Sequence, residues 1–88
     1  MNEQSILDEL LALLEANGVK IRNEPLGGSG GGLCTIKGEH IFFADTQASS
    51  IVSAVMCAEA VSKVVDIEQV YIKPLIRQFI ENNSNQAT

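Results

Sequence analysis

The residues of this chain whose type and spacing invite chemistry are the glycines of Leu26-Gly27-Gly28-Ser29-Gly30-Gly31-Gly32-Leu33-Cys34, which hold five of the seven glycines in the sequence. Such a run can turn several backbone amides toward one anion. A phosphate loop, however, needs a helix N-terminus after it, usually with a Lys-Ser/Thr pair at the junction. Here Leu33-Cys34-Thr35-Ile36-Lys37 follows, alternating like a strand and carrying no such pair. Two readings remain. The run is either a flexible connection between strands, or a nest in which Gly28, Ser29, Gly30, Gly31 and Gly32 hold an anion or a peptide terminus.

The other candidates are His40, Cys34, Cys57, Asp45 and Glu59, scattered without a Cys-x-x-Cys or a histidine pair. One histidine does not supply the ligand sets of zinc sites, so neither metal nor cofactor is expected. A Cys34–His40 nucleophile pair fails on geometry, because the strand pairing derived below puts the two side chains on opposite faces. Glu59 has only Lys63 at i+4, which reads as a solvated helix pair. No catalytic residue is assigned, and the chain reads as non-catalytic. Both cysteines are read as reduced, small core residues.

Charge narrows the partners. A formal net charge of -5 and a pI near 4.6 argue against nucleic acid and anionic membranes, which call for a surplus of Lys and Arg. Met1-Asn2-Glu3-Gln4-Ser5 has no basic leader region, and no stretch approaches eighteen apolar residues. A soluble, cytoplasmic protein is expected. With 88 residues, 45% hydrophobic but only 5% aromatic, a single small domain must build its core from Leu, Ile, Val and Ala around Phe42, Phe43, Tyr71 and Phe79.

These residues must be positioned by a short series of elements. Ser5-Ile6-Leu7-Asp8 reads as a capping box opening a helix that ends at Asn17-Gly18. Val19 to Asn23 alternates as a strand stopped by Pro25, and the hairpin Leu33–Lys37, Gly38-Glu39, His40–Asp45 follows the glycines. Ser49 or Ser50 caps a long helix through Val65. Val70-Tyr71-Ile72 reads as a short strand, and Pro74 starts a last helix to Glu81. The expected architecture is α+β, in the order α-β-β-β-α-β-α, with helices on one face of a mostly antiparallel sheet of three or four strands. One domain spans 1–82, and 83–88 is a frayed polar tail.

A type II′ turn at Gly38-Glu39 fixes the expected register: Lys37 opposite His40, Ile36 opposite Ile41, Thr35 opposite Phe42 and Cys34 opposite Phe43. Cys34, Ile36, Ile41 and Phe43 then face the core. Lys20, Arg22, Lys37 and His40 surround Phe42 on the uncovered face, a composition suited to an acidic peptide or protein. The long helix is apolar over more than half its circumference, so Val52, Met56 and Ala60 are the expected strip for a second copy or the last helix.

Two resemblances add to this. Gly18-Val19-x-Ile21-Arg22-x-Glu24, Gly30-Gly31-Gly32-Leu33-Cys34, the hairpin ending in Asp45 and Tyr71-Ile72-x-Pro74-x-Ile76-Arg77 resemble a family of small uncharacterised bacterial proteins, which implies a bacterial source and no particular activity. The hairpin followed by Ala58-Glu59 also resembles the core of the zinc peptidases that cleave phage-type repressors, whose helix carries His-Glu-x-x-His. Ala58 and Ser62 stand where the histidines would be, so this resemblance implies a remnant without its metal. The expectation is a homodimeric, non-catalytic interaction module; the alternative is an anion or small-ligand binder using 27–32.

Overall fold

The computed structural model describes residues 2–84, apart from the side chain of Ser84. Helix α1 (Glu3–Ala16) is capped by Asn2, whose side chain accepts the Ser5 N–H at 2.8 Å. Asn2, rather than Ser5, therefore satisfies the first orphan donors. Gly18, at φ 87°, ends the helix, and the Val19 N–H returns to the Leu14 carbonyl at 3.0 Å. Strands β1 (Lys20–Glu24), β2 (Gly31–Ile36) and β3 (Glu39–Asp45) follow, then α2 (Ser50–Val64), capped by Ser49, and α3 (Pro74–Ser84). Of the expected tail at 83–88, residues 85–88 lie outside the described residues, while Asn83 and Ser84 belong to α3, which runs three residues past its expected end at Glu81.

The fold is α+β, but its sheet is mixed rather than mostly antiparallel. The strand order is β1-β3-β2, with β1 parallel and β2 antiparallel to β3. The connection from β1 to β2 must therefore cross the end of β3, a span of about 10 Å for two strand spacings. The glycine run is that crossing. Val70-Tyr71-Ile72 joins no strand; Ile72 is buried in the core and Tyr71 is exposed.

The hairpin turns at Lys37-Gly38, both with positive φ (52° and 81°), instead of at Gly38-Glu39. The ladder consequently shifts by two residues, so that Cys34 faces Ile41, Leu33 faces Phe42 and Gly32 faces Phe43. Residues group by face as expected, yet the opposite face is the core. Phe42 is fully buried, and Ile21, Leu33 and Ala44 pack beside it. Strand β1 decides the matter. Its parallel register sets Lys20 beside Ile41 and Arg22 beside Phe43, so burying Ile41 and Phe43 would bury two cations with them.

Helices α1 and α2 cover the Phe42 side. Leu10, Leu14, Ala54, Cys57, Ala58 and Val61 are fully buried there, and α3 packs on α2 and α1 through Ile76 and Ile80 without touching a strand. Small residues on α2 let it approach the sheet and both other helices at once, which uses its broad apolar circumference within the chain.

Candidate functional site

Asp45 closes β3 on the helix-free side and is only 4% exposed. Its carboxylate collects four backbone donors. Oδ1 accepts the Leu26 N–H at 3.0 Å and the Gln47 N–H at 2.9 Å; Oδ2 accepts those of Gly28 at 2.7 Å and Gly30 at 3.1 Å. The Gln47 side chain takes the Gly27 N–H at 2.7 Å. Burial alone pushes the Asp45 carboxyl up, but the amides of Gly30, Gln47, Leu26 and Gly28 outweigh it and hold the group at about 2.

The glycines thus form an anion nest, and the anion it holds is the protein's own carboxylate. Of the expected ligand residues, Gly28 and Gly30 donate to Asp45, Ser29 is exposed, and Gly31 and Gly32 begin β2. Two positions admit only glycine. A Cβ on Gly31 (φ 89°) would lie 1.7 Å from the Phe43 carbonyl oxygen, and one on Gly30 (φ 99°) within 2.8 Å of Met56 Cγ and Val52 Cγ1. The sequence does carry a signal for Asp45: Asp-Thr-Gln after a strand suits an Asx turn, and the Gln47 N–H closes it.

The expected partner face is only partly assembled. Lys20 and Arg22 lie on the helix-free side, while Lys37 sits in the hairpin turn. His40 shares the Phe42 side at its exposed end, 3.0 Å from the Thr35 hydroxyl in a hydrogen bond. Phe42 itself is in the core. The helix strip is divided: Ala60 is buried, Met56 is part-buried against the glycine loop, and Val52 is 38% exposed. Ser62 donates to the Glu59 carbonyl at 2.7 Å.

What the helix-free side does present is an apolar strip. Cys34 and Ile36 are exposed, Ile36 at 49%, and Ile41 and Phe43 are part-exposed beside them. Around this strip the exposed charges balance: Lys20 pairs with Glu39 at 3.2 Å and Arg22 with Glu24 at 3.1 Å. Cys34 therefore lies at the surface, against its expected core position. Cys57 is the buried thiol, pushed up to about 12 by desolvation.

Two shallow clefts of about 120 and 200 Å³ lie along α3, the first crossed by the Lys73–Glu9 ion pair at 2.8 Å. Both fall below the roughly 300–1,000 Å³ of small-molecule sites. Among the described residues no three His, Cys, Asp or Glu side chains are grouped to hold a metal ion, and no helix is long and apolar enough to cross a membrane. The chain matches no protein-family model, no curated protein and no solved structure.

Proposed function

We propose that this protein is a non-catalytic interaction module that acts as a homodimer, with the Cys34–Ile36 edge of the apolar strip on its helix-free sheet side as the contact surface. The observation that carries this reading is the exposure of Cys34 and Ile36 next to Ile41 and Phe43 on a side that no helix covers. Charge favours a second copy over an acidic peptide. The chain carries -5 overall, but around the strip Lys20 and Arg22 are each paired with a carboxylate, so a copy meets little repulsion there and these two cations are already engaged. Three short strands make a surface roughly 15 Å wide and about 20 Å long, about 300 Å², smaller than the ~800 Å² per partner of a standard interface. The dimer is accordingly weak and concentration-dependent.

The alternative, an anion or ligand bound by the glycine loop, is disfavoured because Asp45 occupies the amides a ligand would need. Sedimentation velocity on Ile36→Lys tests the proposal. At a concentration where the wild type dimerises, the variant should stay folded and sediment as a monomer, because a charge replaces an exposed apolar side chain; an unchanged dimer would place the contact elsewhere.

A further inference from the structure

We infer that the second copy adds to the sheet along β2, antiparallel, with the two Cys34 residues facing each other at the two-fold axis. This rests on the self-association proposed above and specifies its geometry. Strand β2 is an edge whose sole strand partner is β3, and among the described residues the backbone of 32–36 makes no hydrogen bond beyond that ladder. The two edges of the sheet differ in kind. Strand β1 carries Lys20, Arg22 and Glu24 in five residues, the usual means of discouraging edge pairing, whereas Gly31-Gly32-Leu33-Cys34-Thr35-Ile36 has neither a charge nor a proline.

Geometry then selects the register. For the helices of both copies to stay on one side of a continuous sheet, facing residues must share a face, so a residue of β2 meets its own copy at the axis. Centring on Thr35 would run Leu33 against Lys37, which turns at positive φ, and centring on Gly32 would bring Cys34 against Gly30, which is buried. Centring on Leu33 would set Ile36 opposite Gly30, which is buried and whose N–H is already given to Asp45. Centring on Cys34 sets Ile36 of each copy opposite Gly32 of the other. Gly32 has no atom within 4 Å of where a Cβ would stand, and its facing residue on β3 is Phe43. Ile36 thus enters an open gap beside Phe43, twice, by symmetry. That large-against-small match within one strand is what makes a second copy the fitting occupant.

Oxidation with copper(II) phenanthroline tests the register. Facing Cα atoms in an antiparallel pair lie about 4.5–5.5 Å apart, within disulfide range, so the wild-type dimer should be captured almost completely through Cys34. Gly32→Val fills the gap at a position with free space and an ordinary φ; it should fold and dimerise at least tenfold more weakly. Cys34→Lys, at an exposed site, should likewise fold and remain monomeric. A dimer by light scattering that resists Cys34 cross-linking, or that Gly32→Val leaves at wild-type affinity, overturns the β2 register while self-association stands. A wild type that never dimerises overturns both.

Discussion

Asp45 Oδ2 accepts the Gly28 N–H at 2.7 Å across 17 residues of chain, which ties the crossing loop to the end of the strand it must pass. The loop is therefore a structural joint. Its glycines let the backbone close around a carboxylate that already belongs to the fold.

Replacing that carboxylate should be expensive. Asp45→Asn turns an amide donor toward backbone donors and should lower Tm at pH 7 by roughly 10 °C or more. The pH dependence follows from the depressed carboxyl: a group at about 2 when folded and 3.8 otherwise stabilises the fold above about pH 4, and this contribution is lost as pH falls toward 2. Acid melting curves should show the loss in the wild type and not in the variant. Asp45→Gly should be partly rescued by acetate, which enters the emptied nest, while acetate leaves the wild type unchanged.

Loop glycines should differ sharply in tolerance. Gly27→Ala meets open space and carries only the strain of its positive φ, about 1 kcal/mol. Gly31→Ala drives a methyl into the Phe43 carbonyl and should destabilise by more than about 3 kcal/mol in urea unfolding.

The hairpin turn leaves room for improvement. Lys37 holds a left-handed φ of 52° before Gly38. Lys37→Asn creates the Asn-Gly pair favoured in such turns and should add about 0.5–1 kcal/mol, read as a higher urea midpoint.

The two thiols should separate cleanly. With Cys34 exposed and Cys57 fully buried and pushed up to about 12, a disulfide reagent at pH 8 should titrate one thiol in the native protein and the second only on unfolding.

The helices were legible because their signals are local: Ser49 before an apolar run, Gly18 after one, Pro74 at a first turn. The sheet was less so. Lys37-Gly38 and Gly38-Glu39 are both admissible two-residue turns, and what separates them, the parallel pairing of Lys20 with Ile41, joins residues far apart in the chain. That pairing also decided which face is buried, and with it the places of Phe42 and Cys34. The glycine run announced an anion nest, but its occupant lies 15 residues beyond Gly30, and nothing local identifies Asp45 except its Asx turn.

Self-association is measured most directly by sedimentation equilibrium of the wild type from about 1 to about 200 µM, the span in which a small interface of this kind dissociates. The mass should rise with concentration from 9.4 kDa toward twice that value; a mass that stays at 9.4 kDa throughout would contradict the proposed function.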